Sequence, residues 1–235
     1  MRTSFATLIV VGALAALVGL GITDHVMPAT DPRADSIRSW VAARALGVTA
    51  YLLLTIQVGI GVLLSHPRNA GDPRTSKVIF PWHELLTVFT VAFLAMHIVL
   101  LAIDPYAGVG WIGAFVPGFS GYRTAGVAVG SVSMYALLIA AITAKWTRLL
   151  PAGWWLKIHR LTAFVFLGAW VHGVLSGTDT DALLPMYLVT GGLVLAAVAH
   201  RWWSVSTRSQ RAAGLTDATA IPPRRPAPAS ATEES

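Results

Sequence analysis

Long uninterrupted blocks of apolar residues constrain this chain more than any other feature. A helix needs about 20 apolar residues to cross a bilayer, and six such blocks are present. They run roughly over residues 5–22, 40–64, 79–103, 124–144, 158–176 and 183–200. Only 12% of the 235 residues are charged, about half the share of a soluble domain. The sequence therefore predicts an all-α, integral membrane bundle of six helices in a lipid bilayer.

The distribution of charge predicts the orientation of these helices. Twelve Lys and Arg lie in the N-terminus, in segments 65–78 and 145–157, and in the tail from residue 201, against three in segments 23–39, 104–123 and 177–182. Cytoplasmic segments of membrane proteins carry the excess of Lys and Arg. Both termini are therefore predicted to be cytoplasmic. The net charge of +6 then reflects topology rather than nucleic-acid binding.

The chain divides into three predicted parts. Residues 1–39 form the first transmembrane helix and an outer loop, residues 40–201 form the main membrane domain, and residues 202–235 form a disordered cytoplasmic tail rich in Pro, Ala, Ser and charge towards its end. A cleaved signal peptide is a competing interpretation of the first block, but only Arg2 precedes it and no A-x-A-like site follows promptly. The absence of cysteine excludes disulfides, iron–sulfur clusters and covalently attached haem.

Four histidines lie inside the predicted spans, His83 and His97 on the third and His159 and His172 on the fifth. On each helix the two histidines are separated by roughly 20 Å, which brackets the middle of a hydrocarbon core about 30 Å thick. A haem held between two facing helices needs one histidine from each helix at the same depth. The pattern therefore predicts two stacked haems, one in each leaflet.

The rotational phase of the histidines is consistent on only one helix. His83 to His97 is fourteen steps, which returns to within about 40° of the same face, whereas His159 to His172 is thirteen steps, which leaves a straight helix about 140° out of phase. A bend, a π-bulge or a frayed helix start at His159 would correct the phase. The sequence does not select among these, and a single haem is the remaining alternative.

Histidines inside a membrane can also serve packing or hydrogen bonding, or bind a metal ion without haem. Ionisable groups at membrane depth usually serve function, and four depth-matched histidines favour cofactor binding over packing. No carboxylate cluster accompanies them, which disfavours a bare metal ion. The other three histidines, His25, His66 and His200, lie in loops or at a helix end, where a solvated or interfacial side chain is expected.

At these residues the chain resembles the ferric-reductase-like transmembrane domain, the family of NADPH oxidases, yeast-type ferric reductases and the membrane haem subunit of the periplasmic methionine-sulfoxide reductase system. The family pairs an H-x13-H helix with an H-x12-H helix, and both spacings occur here. Respiratory and photosynthetic cytochromes b use x13 on both helices, so the unequal pair is discriminating. The segment W-W-L-K-I-H-R-L-T, residues 154–162, is similar to the family's Trp…His-Arg-Leu stretch.

The resemblance covers roughly residues 40–200 and implies that residues 40–201 are the haem-binding domain of a short bacterial member in the cell membrane. It implies that His83 and His159 hold an inner b-type haem, and that His97 and His172 hold an outer one. Iron with two histidine ligands has no open position, so electrons would pass at the haem edge.

Two arginines are implied partners for the haem propionates, because arginine can bind such anions bidentately. Arg44 lies near the outer end of the second span, where the family often places an arginine, and Arg160 follows the histidine at position 159. Snorkelling to the membrane interface explains Arg44 and Arg123 equally well.

Departures from the family narrow the implied function. NADPH oxidases carry another histidine one turn beyond the outer ligand of the third helix, where this chain has Leu101. No FAD- or NADPH-binding domain follows the helices, and the G-V-G-W-I-G of residues 108–113 lies in an outer loop with no preceding strand, so it is not a dinucleotide site. That loop, residues 105–122, is uncharged and aromatic; it either covers the outer haem or anchors at the interface.

The resemblance implies electron transfer from a quinol or a separate flavoprotein, across the membrane, to an extracytoplasmic redox partner. The chain would be the membrane subunit of a two-component reductase, and FMN is a further candidate cofactor. Two alternatives stay open. A self-sufficient reductase of ferric chelates or oxygen would turn over without a partner, and a non-redox transporter or assembly protein would be colourless.

Overall fold

The computed structural model describes residues 5–26, 32–67, 69 and 72–218. All regular secondary structure in these residues is helical, which confirms the predicted all-α class. The helices are α1 (Phe5–Val26), α2 (Pro32–Leu64), α3 (Pro73–Ile103), α4 (Gly110–Phe115), α5 (Thr124–Lys145), α6 (Trp154–Arg160), α7 (Thr162–Ser176) and α8 (Thr180–Ala218), with one 3-10 turn at Thr147–Leu149.

Five helical segments within the described residues are long and apolar enough to cross a bilayer. They are Ile37–Leu64, Pro73–Ile103, Thr124–Lys145, Trp154–Ser176 and Thr180–Gln210. Large apolar side chains such as Val132 and Leu193 point away from the protein on these segments, as expected where lipid is the solvent. The chain is therefore a multi-pass membrane protein.

The first predicted span folds as helix α1. It is not among the five segments found long and apolar enough to cross a bilayer in the described part of the chain, so a sixth crossing stays a prediction. The cytoplasmic position of the termini also stays a prediction, because residues 1–4 and 219–235 lie outside the described residues.

Successive spans run in opposite directions. We call the end of the bundle that holds Ile103, Thr124 and Ser176 the upper end, and the end that holds Leu64 and Trp154 the lower end. The most extensive helix contacts are those of α2 with α3 and of α5 with α7. Helix α2 therefore packs against α3, which carries two of the histidines, and α5 packs against α7, which carries another.

Local sequence determines where α3 begins and where it is expected to kink. The Asp72 carboxylate accepts hydrogen bonds from the backbone N–H groups of Arg74 and Thr75 and from the Thr75 hydroxyl, which caps the helix. The Thr75 hydroxyl contributes most to holding the pKa of the Asp72 carboxyl below its ordinary value. Pro81 lies inside α3, two residues before His83, and its missing N–H favours a kink there.

The segment predicted as one helix over residues 158–176 is two helices that meet at Leu161. The Leu161 N–H donates to the Ile158 carbonyl at 3.0 Å, and the Thr162 hydroxyl donates to the His159 carbonyl at 2.7 Å. The three-residue closure at Leu161 is that of a 3-10 turn. This break interrupts the regular rotation of the helix between His159 and His172, where the thirteen-step spacing predicts a departure from a straight α-helix.

A buried polar network joins α2 to α3. The Gln57 amide nitrogen donates to the Thr87 hydroxyl at 2.8 Å, and the Thr90 hydroxyl donates to the Gln57 amide oxygen at 3.1 Å. The Thr87 hydroxyl in turn donates to the His83 carbonyl at 2.9 Å. Gln57 and Thr90 are buried, and side-chain bonds of this kind hold membrane helices together.

Helix α8 continues to Ala218 and replaces the disordered tail predicted for residues 202–218. The Arg201 guanidinium donates to the carbonyl and the hydroxyl of Ser65, and the Arg208 guanidinium donates to the Pro67 carbonyl at 2.7 Å. These contacts with the connection between α2 and α3 support the extended helix, and tertiary support of this kind is not visible in composition. Residues 219–235 of the predicted tail lie outside the described residues.

Candidate functional site

The four histidines of the spans meet in two pairs. At the upper end, the ring centres of His97 and His172 are 6.3 Å apart, with an angle of 77° between the ring planes. At the lower end, the ring centres of His83 and His159 are 5.9 Å apart, with an angle of 78°. Each pair joins α3 to the α6–α7 segment and unites histidines that the sequence assigns to the same depth.

Backbone carbonyls hold both upper imidazoles from behind. His97 Nδ1 lies 2.6 Å from the Ala43 carbonyl oxygen on α2, and His172 Nδ1 lies 2.8 Å from the Gly126 carbonyl oxygen on α5. Since a carbonyl oxygen only accepts hydrogen bonds, Nδ1 is the protonated nitrogen of each ring and Nε2 keeps its lone pair. That lone pair is what a neutral histidine offers to a metal ion.

Two glycines make room for the upper imidazoles. A Cβ atom on Gly47 would lie 2.7 Å from His97 Nδ1, and a Cβ atom on Gly130 would lie 2.5 Å from His172 Nδ1. Any larger residue would therefore displace the ring. Sequence reasoning missed both glycines, although a glycine inside an apolar span is a known sign of close approach between membrane helices.

The lower imidazoles are held less firmly. His83 Nδ1 and His159 Nδ1 are buried and have no hydrogen-bond partner in the described part of the chain. The Gln57 carbonyl lies near His83 without completing a hydrogen bond, and a Cβ atom on Gly61 would lie 3.4 Å from His83 Cε1. The Trp155 ring centre lies 6.2 Å from that of His159. Buried polar atoms without partners are rare in folded proteins, so the lower imidazoles lack the support that the carbonyls give to the upper ones.

A cavity of about 540 Å³ lies between the helices at the upper pair. This volume is within the range of about 300–1,000 Å³ that is usual for organic ligand sites. The cavity is lined by both upper histidines and by Gly47 and Gly130. Its remaining wall is mostly apolar and includes Leu54, Leu94, Met134, Leu137, Val165 and Leu183. Such a wall would exclude water from the faces of a planar ligand.

Arg44 lies at the mouth of this cavity. It forms an ion pair with Asp179 of the connection between α7 and α8, and its guanidinium carbon lies 4.4 Å from the centre of the Trp40 ring. Trp40 in turn meets the Tyr106 ring edge-on at 5.5 Å. The Arg44 side chain is thus partly buried and paired with groups of the protein. A cation at the mouth of an apolar cavity suits a ligand with an anionic group.

The other two arginines of the sequence analysis have different surroundings. Arg160 is exposed at the end of α6, at the lower end and outside the upper cavity, so its predicted role concerns the lower site alone and stays a prediction. Arg123 donates to the carbonyls of Leu175 and Gly177 at 3.0 and 2.9 Å. It therefore caps the C-terminus of α7, where a cation is favourable.

Of the histidines outside the two pairs, His66 and His200 pack against each other. His66 is buried; its Nε2 lies 3.2 Å from the Ser204 hydroxyl, and its ring stacks on the His200 ring with centres 5.2 Å apart. The expectation of a solvated His66 is therefore wrong, because α8 continues past His200 and covers it. His25 is exposed, as expected.

The separation of the ring centres in both pairs is compatible with an iron shared between two imidazoles. An imidazole nitrogen binds a metal at about 2 Å and lies about 1.1 Å from its ring centre, so the ring centres of two opposite ligands are about 6.2 Å apart. The observed separations are 5.9 and 6.3 Å. No group of three or more His, Cys, Asp or Glu suited to a metal ion occurs among the described residues. A haem needs only two protein ligands because its porphyrin supplies the other four.

No protein-family model, curated protein or solved structure matches this chain. The resemblance to the ferric-reductase-like family therefore rests on the histidine spacings and on the segment 154–162, and it stays a prediction. The geometry adds an independent observation, which is that the four histidines meet pairwise at two depths of one membrane bundle.

Proposed function

We propose that this chain carries electrons across a bilayer by means of two b-type haems, one held by His97 and His172 and the other by His83 and His159. The observation that carries the proposal is the pairing of these histidines at separations suited to a shared iron. When bound, haem supplies reversible one-electron chemistry. The protein supplies the ligands, their orientation and an apolar surrounding.

The residues around the upper pair have separate tasks in this proposal. The carbonyls of Ala43 and Gly126 fix the tautomer and the orientation of the imidazoles. Arg44 balances the negative charge of the propionates at the mouth of the cavity. Because both histidines of each pair would be engaged in holding the haem, a substrate would be reduced at the edge of the site rather than on the metal.

The charge asymmetry of the connecting segments supports a cytoplasmic lower end and an extracytoplasmic upper end, in a bacterial-type cell membrane. The electron donor is then a quinol or a separate flavoprotein at the lower end. The acceptor is a redox partner at the upper end. In this arrangement the chain is the membrane subunit of a two-component reductase.

Histidine variants test the pairing. The measurements are the reduced-minus-oxidised spectrum and the haem-to-protein ratio of detergent-solubilised protein from haem-supplied cells. We expect two low-spin haems per chain. His97→Ala and His172→Ala should each lose the same haem, and His83→Ala and His159→Ala should each lose the other. The double variant His97→Ala/His172→Ala should resemble either single variant, since its two ligands serve one iron.

His25→Ala is the matched control, because His25 is an exposed histidine outside the site, and it should keep both haems. A folded but colourless protein would contradict the proposal and favour a transporter or assembly protein. If His97→Ala retained both haems, the upper site would be wrong. Rapid reduction of ferric chelates by the chain alone would favour the self-sufficient reductase over the two-component system.

A further inference from the structure

The connection between α3 and α5 folds back alongside α5 instead of remaining above the bundle. The Ser131 hydroxyl donates to the Ala114 carbonyl at 2.9 Å, and the Tyr135 hydroxyl donates to the Phe115 carbonyl at 2.6 Å. Since α5 begins at Thr124 and rises 1.5 Å per residue, Ser131 lies about 10 Å below its upper end. Side chains lean towards the N-terminus of their helix, so the Tyr135 hydroxyl reaches up to about the same level. The C-terminus of α4 therefore lies well below the upper end of α5, where α5 begins.

Several polar backbone groups of this segment are satisfied at that depth. A helix leaves its last carbonyls without helical donors, and for α4 the two hydroxyls of α5 supply donors to Ala114 and Phe115. The Val116 N–H donates to the Ile112 carbonyl, and the Phe119 N–H donates to the Val116 carbonyl. Irregular backbone is tolerated at membrane depth only when it is satisfied by protein in this way.

The two faces of α4 have opposite character. Gly113 and Ala114 are buried against the bundle, and a Cβ atom on Gly113 would lie 2.8 Å from Ser120 Cα. The outward residues are large, apolar and between 40% and 69% exposed; they are Trp111, Ile112, Phe115, Val116 and Phe119. Residues 105–122 carry no charge. In water, an apolar patch of this kind would favour aggregation or association with another protein.

We infer that residues 109–119 are a re-entrant segment whose outward face contacts the acyl chains of the upper leaflet. The level of its hydrogen bonds on α5 favours lipid over a water-borne protein partner, which could not reach that depth. Because Val109 and Ala114 also line the cavity at the upper histidines, the segment forms the wall between that cavity and the lipid. This inference does not depend on the proposed redox function.

Single cysteine variants test the inference, since the chain has no cysteine of its own. Ile112→Cys and Phe119→Cys are spin-labelled and reconstituted in phosphatidylcholine vesicles, and collision rates with oxygen and with a water-soluble nickel chelate are measured. Val132→Cys, on the exposed face of α5, is the lipid reference, and Thr178→Cys, in the exposed connection between α7 and α8, is the water reference. We expect both test labels to show the excess of oxygen collisions found at position 132.

An excess of nickel collisions equal to that at position 178 would place the segment in water and overturn the inference. Labels that are immobilised and shielded from both reagents would mean that a protein covers this face, and they would also overturn it. Of the two test positions, Ile112 precedes the C-terminus of α4 in the chain and Phe119 follows it. A folding defect in one variant therefore leaves the other to decide, with the thermal melting curve in detergent as the check on folding.

Discussion

At Gly47 the ring of His97 occupies the space where any other residue would carry its Cβ atom. The acceptor for that ring, the Ala43 carbonyl, lies four residues earlier on the same helix, and residues four apart share a helix face. The same arrangement recurs on α5, where the Gly126 carbonyl and Gly130 receive His172. A carbonyl followed by a glycine four residues later thus forms a seat for an imidazole from the neighbouring helix.

Gly47→Ala tests this seat. We expect the variant to lose the upper haem, so that the ratio falls from two haems per chain towards one, because the new methyl group would clash with the imidazole. Gly59→Ala is the control on the same helix, since a Cβ atom at Gly59 would meet nothing within 4 Å, and it should keep two. The measurement is the haem-to-protein ratio. An unchanged ratio and spectrum in Gly47→Ala would show that the His97 ring can shift and still hold the haem.

At the scale of helices, the break at Leu161 decides whether His159 can face the same interior as His172. The Thr162 hydroxyl bond to the His159 carbonyl fixes the short turn between α6 and α7. Neither lower imidazole has a hydrogen-bond partner at Nδ1 in the part of the chain that the structure describes. The orientation of the lower site is therefore sensitive to this turn.

Thr162→Val removes the hydroxyl and keeps the shape of the side chain. A hydrogen bond contributes about 1 kcal/mol net, so we expect roughly a fivefold weaker hold on the lower haem. The upper haem should be unaffected. The measurement is the rate of haem loss to an excess of apomyoglobin, followed at both sites. Thr207→Val is the control, because the Thr207 hydroxyl bonds to a carbonyl within the unbroken α8. If Thr162→Val lost haem equally fast from both sites, the Thr162 hydroxyl would not act on the lower site alone.

The break also shows what the sequence could and could not predict. The apolar spans and the depth-matched histidines follow from residue type and spacing, and the structure contains both. The break was anticipated only as one way to correct the phase, since residues 158–163 contain no Pro or Gly to mark it. The carbonyls that hold the upper rings could not be singled out, because every residue has a carbonyl and the choice depends on how two helices are rotated against each other.

At the scale of the whole molecule, the two sites are unequal in a way that predicts unequal reduction potentials. A hydrogen bond from Nδ1 to a carbonyl makes the imidazole a stronger donor to the metal, which favours the oxidised iron. Both upper imidazoles have such bonds, whereas among the described residues His159 has none and His83 only approaches the Gln57 carbonyl. The charge of Arg44, which would act in the opposite direction, is balanced by a carboxylate, which is Asp179 in this structure and would be a propionate with haem bound.

We therefore expect the upper haem to have the lower potential. A spectroelectrochemical titration should resolve two steps in the wild-type protein. His97→Ala should retain only the step at higher potential, and His83→Ala only the step at lower potential. The reverse assignment, or a single unresolved step, would show that the carbonyl bonds do not dominate the difference between the sites.

The bonds that join Gln57 to Thr87 and Thr90 lie between the upper and lower histidine levels. If α2 slid along α3 by one turn, about 5.4 Å, these bonds would break in a medium with no water to replace them. The same slide would carry Gly47 away from His97 and Gly61 away from its neighbour His83. The bonds of Gln57 therefore fix the register of α2 against α3. One register places the α2 glycines beside the α3 histidines at both depths together.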